Sequence, residues 1–165
     1  MQRFTENLTR VLSYILIGLM ASIVVDVTWQ VFTRFVLKNP SSFTEELAGF
    51  LLIWIGLLGA SYTYYKKAHL GIDCFTASVT GVKKIVAEIT VAVVVLLFAL
   101  SVLVIGGMHL VTITFTLRQI SPSMKIPMGY VYLVLPLTGV LFMYYSVVSI
   151  VETVKRREES VPESR

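Results

Sequence analysis

The chain is dominated by four long runs of apolar residues, separated by short stretches that contain charges, prolines and serines. A transmembrane helix needs about 20 mostly apolar residues, and these four runs are long enough. They cover residues 11–37, 44–65, 85–116 and 127–154, and no alternating strand pattern competes with them. The sequence therefore predicts an all-α integral membrane protein, with four transmembrane helices in one domain at residues 1–154.

The composition favours the membrane over an aqueous environment. Hydrophobic residues make up 56% of the chain and charged residues 15%, whereas about a quarter of the residues of a soluble domain are charged. The net charge of +4 comes from basic residues at the ends of the apolar runs, which indicates membrane orientation and not a nucleic-acid patch. We expect a disordered tail at residues 155–165 and consider a short interfacial helix at residues 72–80.

The distribution of lysine and arginine predicts how the helices are oriented. With four spans, both termini share one side of the membrane with the loop between the second and third spans. That side carries ten basic residues and the opposite side carries four. Because basic residues accumulate on the cytoplasmic side, we expect both termini to lie in the cytoplasm.

Three polar residues lie on one face of the first span. Asp26, Gln30 and Arg34 are spaced four residues apart, so a helix places them in one line. Asp26 lies about 6 Å from the middle of this span, where a carboxylate is costly and usually faces protein or water. An ion or proton site and a structural polar stripe are both possible. We favour the stripe, because no other span offers an obvious carboxylate at that depth.

Two adjacent glutamates open the second span. Ser42 and Glu45 have the spacing of a capping box, in which the glutamate reaches back to the first amide of the helix. Glu46 has no such local explanation, because it points about 100° away. Arg34 ends the first span just across a short loop, so we expect it to pair with Glu46. Trp54 lies too deep for an interfacial tryptophan, and we expect it to pack against protein.

Glu46 also heads a line of small residues along the second span. Small side chains at this spacing let another helix approach closely. The small residues on this line are Gly49, Gly56 and Ala60.

The remaining candidate features are weaker. His69 and Asp73 would be neighbours on a helix and could both bind a metal ion. A metal site needs at least a third ligand, and none is evident, so we do not predict one. The glycines at residues 106–107 permit a bend or a close crossing. Pro127 suits the first turn of the last span, and Pro136 frees the carbonyl of Tyr132, so we expect a kink there. Catalytic and nucleotide-binding motifs are absent from the sequence, so we expect no enzyme.

The ordered combination of these residues resembles a known family, the small membrane subunit (DctQ type) of tripartite ATP-independent periplasmic (TRAP) transporters. The first part of the matching pattern is Arg34-Phe35, Phe43, Glu45-Glu46, Trp54, Gly59-Ala60, His69 and Asp73. The second part is Pro127, Tyr132 and Pro136. At position 43 the family more often has tryptophan.

The resemblance implies a transport function in a bacterial or archaeal cytoplasmic membrane. A periplasmic binding protein captures an organic anion, such as a dicarboxylate or sialic acid, and delivers it to a small and a large membrane subunit. The large subunit binds the substrate and the sodium ions and moves, while the small subunit is a static scaffold without a cofactor. The expected interface residues are Asp26, Gln30, Arg34, Glu46, Gly49, Trp54, Gly56 and Ala60. Lys38, Arg118 and Lys125 lie on the outer face, where they would steer an acidic binding protein.

Two other functions stay open on the sequence. The chain would act as a small proton-coupled exporter if Asp26 were the titrating carboxylate of a dimer. It would act as a membrane anchor of a respiratory enzyme if it held a haem or a quinone, although His69 and His109 are expected near opposite sides of the membrane.

Overall fold

The computed structural model describes residues 2–38, 41–66 and 82–160, and every regular element within these ranges is a helix. The helices before the central break of the chain are α1 (Gln2–Phe35) and α2 (Ser42–Tyr65). The third span consists of α3 (Val82–Phe98), a π-helical segment (Ala99–Gly106) and α4 (Gly107–Thr116). The last span consists of α5 (Met128–Tyr132) and α6 (Val134–Ser160).

The expected four spans are confirmed in the described part of the chain. Four helical stretches are long and apolar enough to cross a membrane: Arg3–Phe35, Ser42–Tyr65, Ile85–Thr116 and Met128–Lys155. Many of their large apolar side chains face outwards, as in Val25 and Val94, which are 69% and 59% exposed. A soluble protein would not leave such continuous apolar surface uncovered, so these faces fit lipid or another membrane protein.

The ends of two helices differ from the prediction. α1 begins at Gln2 and not at residue 11, so the polar N-terminal segment is already helical. α6 continues to Ser160, so part of the segment expected to be disordered is helical too. Residues 161–165 and the expected interfacial helix at residues 72–80 lie outside the described residues.

The helices pack in a defined order. α1 packs along α2, α2 packs on α6, and α6 packs on α3 and the π-helical segment. One cluster of buried core residues consists of Leu12, Leu58, Val134 and Tyr145, from α1, α2 and α6. The last span therefore holds the bundle together, because it contacts both the α1–α2 pair and the third span.

Hydrogen bonds between helices define two ends of the bundle. At the end that we call the termini end, the hydroxyls of Thr9 and Tyr145 are 3.2 Å apart, and Ser146 donates to the hydroxyl of Tyr64 at 3.1 Å. α1 starts at this end and α6 finishes at this end. The opposite end, which we call the loop end, carries the short connection after α1 and the connection at residues 117–127.

Glycines allow the third and last spans to approach closely. A Cβ added to Gly107 would lie 2.9 Å from Leu135 Cβ, and one added to Gly139 would lie 2.8 Å from Val104 Cγ2. Real Cβ atoms do not come so close, so a larger residue would force the helices apart. The close crossing expected at residues 106–107 is therefore confirmed.

The last span is broken before Pro136. α5 ends at Tyr132, and α6 starts at Val134. Pro136 has no N–H to donate to the carbonyl of Tyr132, which explains why the helix is interrupted there. The indole Nε1 of Trp54 donates to the carbonyl of Val131 at 3.2 Å, just before the break. The expectations of an irregularity at Pro136 and of a tryptophan packed against protein are both confirmed.

Candidate functional site

The carboxylate of Glu46 binds the loop at residues 117–127. Its Oε2 accepts a hydrogen bond from the hydroxyl of Ser121 and another from the backbone N–H of Met124 at 3.1 Å. The N–H of Ser123 lies 3.2 Å from both carboxylate oxygens. Hydrogen bonds to an ionised acceptor are stronger than neutral ones. One side chain at the start of α2 therefore fixes a turn that connects the third and last spans.

The same loop is also held by its own backbone. After α4, the N–H of Gln119 donates to the carbonyl of Thr114 at 3.1 Å, and the N–H of Arg118 donates to that of Phe115 at 3.1 Å. This is a Schellman ending, which places Arg118 at the position where glycine is usual. An isolated antiparallel bridge between Ile120 and Pro127 closes the loop.

Three basic residues at the loop end share an unusual backbone conformation. Among the described non-glycine residues, positive φ angles occur at Lys38 (51°), Arg118 (49°) and Lys125 (54°). The left-handed region disfavours ordinary residues by roughly 1–2 kcal/mol each. All three side chains are exposed. The three residues expected to contact a binding protein therefore lie at one end of the bundle, each at the point where the backbone reverses.

The prediction that Glu46 pairs with Arg34 is wrong. Glu46 binds the turn at Ser121 instead of Arg34, and Arg34 is an exposed residue in the last turn of α1. The loop at residues 117–127 supplies backbone N–H groups that point at the carboxylate, so Glu46 has donors without a basic side chain. The sequence did not reveal this contact, because 75 residues separate Glu46 from Ser121.

The prediction of a capping box formed by Ser42 and Glu45 is also wrong. The N-cap of α2 is Ser41, and its side chain makes no capping hydrogen bond. Ser42 is therefore the first residue inside the helix. The hydroxyl of Thr44 donates to the carbonyl of Ser41 at 2.9 Å, so the start of α2 is held from within the first turn. Glu45 is exposed and still lies near the positive end of the helix dipole.

The polar line of α1 runs from the interior to the surface. Asp26 is only 8% exposed, Gln30 is half-buried and Arg34 is exposed. The Oδ2 atom of Asp26 is buried and has no hydrogen-bond partner among the described residues. Asp26 lines an open groove between α1 and the start of α2. The other lining residues are Ala21, Ser22, Val25, Trp29, Ser41, Phe43, Thr44 and Leu47.

In the described part of the chain, nothing packs against the glycines of the small-residue line of α2. A Cβ added to Gly49 or to Gly56 would meet nothing within 4 Å. Both glycines are exposed, and Ala60 is half-buried. This contrasts with Gly107 and Gly139, which are covered by the neighbouring span.

The family-motif residues of the last span lie around α5 and the break between α5 and α6. Pro127 is the N-cap of α5 and not its first helical residue, and Tyr132 is the last residue of α5. Pro136 packs close to Gly107 of the third span. His69 and Asp73 lie outside the described residues. Within the described ranges, no group of three or more His, Cys, Asp or Glu side chains could hold a metal ion.

Sequence reasoning missed the residues that bind Glu46 and the hydroxyl network at the termini end. Ser121 and Ser123 belong to a Ser-Pro-Ser stretch, and Met124 follows it. This stretch is a turn signal, but the pattern does not identify the residue that binds the turn. Thr5 and Thr9 precede the first apolar run, yet both are buried. The hydroxyl of Thr5 lies 2.8 Å from that of Tyr144. The available signal was two threonines four residues apart, just before the first predicted helix.

Comparison with known proteins identifies the family. The sequence model of the DctQ component of tripartite ATP-independent periplasmic transporters matches residues 23–156, which include Asp26, Glu46 and the 117–127 loop. The chain is also 25% identical over 109 residues to the sialic acid TRAP transporter small permease protein SiaQ of Vibrio cholerae. That match covers 66% of this chain and 61% of the relative. A family match over most of the chain agrees with the four described spans. The chain therefore belongs to the DctQ component family of the tripartite ATP-independent periplasmic transporters.

Proposed function

We propose that this chain is the small, static membrane subunit of a sodium-driven TRAP transporter that imports organic anions, such as dicarboxylates or sialic acid. The transported anion and the sodium ions bind to a large subunit, which moves. The present chain stabilises that subunit and supplies part of the surface on which a periplasmic binding protein docks. It carries out no catalysis and holds no cofactor of its own.

The family match is the observation that carries this proposal, and the geometry of the chain supports it. Gly49 and Gly56 form an open line on α2, which is the type of surface that a second transmembrane helix packs on. Carboxylates that line a transport path need access to water. Within the described ranges, Oδ2 of Asp26 is the carboxylate oxygen that is buried without a hydrogen-bond partner, and one such group fits assembly better than a multi-residue path.

The loop end supports the docking part of the proposal. Lys38, Arg118 and Lys125 are exposed there, and Glu46 holds the loop that carries two of them. With the termini in the cytoplasm, as the distribution of basic residues predicts, this end faces the periplasm. A fixed positive surface would raise the rate at which an acidic binding protein associates.

A pull-down from native membranes tests the proposal. We expect the tagged chain to co-purify a large multi-helix membrane protein, and a homodimer alone would favour the exporter instead. In proteoliposomes, we expect uptake only when the large subunit, the binding protein and an inward sodium gradient are all present. Transport by this chain alone, abolished by Asp26→Asn, would contradict the scaffold role. A haem absorption band in the purified chain would favour the respiratory anchor.

A further inference from the structure

Asp26 leaves an unbalanced carboxylate in the groove between α1 and α2. It lies in the apolar part of α1, it is 8% exposed, and its Oδ2 has no hydrogen-bond partner in the described part of the chain. Two of the three hydroxyls that line the groove are already used as donors, since Ser22 donates to the carbonyl of Gly18 at 2.9 Å and Thr44 donates to that of Ser41 at 2.9 Å. A buried carboxylate oxygen without a donor destabilises the chain that contains it.

An aromatic ring flanks this carboxylate in the groove. Trp29 lines the groove beside Asp26 and is 54% exposed, and its ring stacks on Phe32 with the centroids 5.7 Å apart. The stacked neighbour holds the indole in place. A carboxylate beside a half-exposed indole ring is a suitable site for an organic cation, which gains from both the charge and the ring.

We propose that the groove binds an arginine or lysine side chain from a transmembrane helix of a partner, which under the function proposed above is the large subunit. Alone in the membrane, that basic side chain would be as costly as Asp26. Bringing the two together during assembly removes both unpaired charges at once. The pair would then fix the position of the partner helix along the α1–α2 groove, because the cation can pair with Asp26 at one position only.

The apolar lining of the groove favours a protein side chain over a lipid headgroup. Beside Asp26, the groove is lined largely by apolar side chains, among them Val25, Phe43 and Leu47. A headgroup amine would bring its phosphate against this apolar surface and towards the carboxylate, whereas a basic side chain on a neighbouring helix brings only its positive charge. The groove also offers one carboxylate, and no cluster of metal ligands occurs in the described ranges, which favours an organic cation over a metal ion.

Asp26→Asn should affect the isolated chain and the complex differently: it should not destabilise the isolated chain, but it should weaken the complex. In the purified full chain, replacing an unpaired carboxylate with a neutral amide should leave the thermal unfolding temperature unchanged or raise it. In the complex, the same change should accelerate dissociation of the large subunit by roughly tenfold or more, because it leaves the partner cation unpaired. Glu45→Gln is the matched control, since Glu45 is an exposed carboxylate at the start of α2. It should change neither quantity.

A photo-crosslinker at position 29 identifies the occupant. With p-benzoylphenylalanine in place of Trp29, we expect crosslinks to a large-subunit peptide that contains lysine or arginine. Crosslinks to lipid alone would overturn the inference. So would a sodium-dependent rise in the unfolding temperature of the isolated chain that Asp26→Asn removes, because that result would indicate a sodium site.

The outcomes also separate this inference from the proposed function. If no large subunit co-purifies with the unmodified chain, the proposed function fails and the inference fails with it. If the large subunit co-purifies and dissociates equally slowly from Asp26→Asn, the inference alone is overturned.

Discussion

Glu46, in the first turns of α2, accepts a hydrogen bond from the hydroxyl of Ser121, which lies 75 residues further along the chain. The same carboxylate accepts the N–H of Met124 at 3.1 Å. These contacts connect the α1–α2 pair directly to the connection between the third and last spans. The position of the 117–127 loop therefore depends on a residue outside it, and so does the position of Arg118 and Lys125.

Glu46→Gln should loosen this connection more than Glu45→Gln does. The neutral amide cannot accept several N–H and O–H donors as strongly as the carboxylate, whereas Glu45 is exposed. We expect faster amide hydrogen exchange at Ser123 and Met124 and a lower unfolding temperature in detergent. Both quantities are measured on the purified chain, with Glu45→Gln as the control of equal charge change.

A double-mutant cycle identifies the contact responsible. Ser121→Ala removes the hydroxyl that donates to Glu46, while Ser149→Ala removes a half-buried hydroxyl on α6 as a control. The effects of Glu46→Gln and Ser121→Ala should be non-additive, because the two residues share one network. Additive effects would mean that Glu46 holds the loop through the N–H groups of Ser123 and Met124 and not through the Ser121 hydroxyl.

Gly139→Ala should destabilise the chain, and Gly49→Ala should not. The added methyl at Gly139 would lie 2.8 Å from Val104 Cγ2 and 2.9 Å from Leu103 Cβ, so the spans must separate, at a cost of about 1–3 kcal/mol. Nothing lies within 4 Å of the methyl at Gly49, where alanine also favours the helix. Thermal unfolding of the two purified variants checks this.

The same pair of variants reports on the partner surface. If a helix of the large subunit packs on the line of Gly49 and Gly56, Gly49→Ala should weaken the complex while leaving the isolated chain intact. Equal recovery of the large subunit with Gly49→Ala and with the unmodified chain would place that helix elsewhere.

Trp54→Phe should lower the stability of the chain by about 1 kcal/mol beyond the change in packing. Phenylalanine keeps most of the aromatic contact but cannot donate to the carbonyl of Val131, which lies 3.2 Å from the indole nitrogen. The matched control is Trp29→Phe, because Trp29 is 54% exposed. Equal unfolding temperatures for the two variants would show that the hydrogen bond contributes little.

The spans were predictable from the sequence because hydrophobic length determines them. The third span, residues 85–116, has the predicted bounds, and the break before Pro136 follows from a missing N–H. Both features depend on local chemistry. The N-terminal start of α1 was not predicted, because Thr5 and Thr9 are polar. They are helical and buried since Tyr144 and Tyr145, far along the chain, supply hydroxyl partners.

The candidate site was predictable only in part. Glu46 was selected because it lacked a partner in its own helix, and the hydroxyl that donates to it does lie 75 residues away. The choice of Arg34 as the partner was wrong, because proximity along the chain is a poor guide when backbone N–H groups of a distant loop satisfy the charge. The groove at Asp26 could not be predicted, because it depends on how α1 packs against α2.

Tyr145→Phe should destabilise the termini end by about 0.5–1.5 kcal/mol. Tyr145 is 1% exposed, and its hydroxyl lies 3.2 Å from the Thr9 hydroxyl, so the phenylalanine variant leaves a buried threonine with one contact fewer. Tyr14→Phe is the control, because Tyr14 is 67% exposed on the same helix as Thr9. Unfolding in detergent measures both. A change at Tyr14 as large as that at Tyr145 would argue against a specific contact.

Charge reversal at the loop end should weaken docking of the binding protein. Arg118→Glu removes one positive charge and adds a negative one on the surface that would face an acidic partner, so association at low salt should slow by roughly threefold to tenfold. The effect should shrink as salt rises, because charges separated by more than about 8 Å are largely screened at physiological ionic strength. Surface plasmon resonance with the complex in nanodiscs measures both rates. Lys155→Glu makes the same change in charge at the termini end and should leave the association rate unchanged. Equal association rates for both variants at every salt concentration would remove Arg118 from the docking surface.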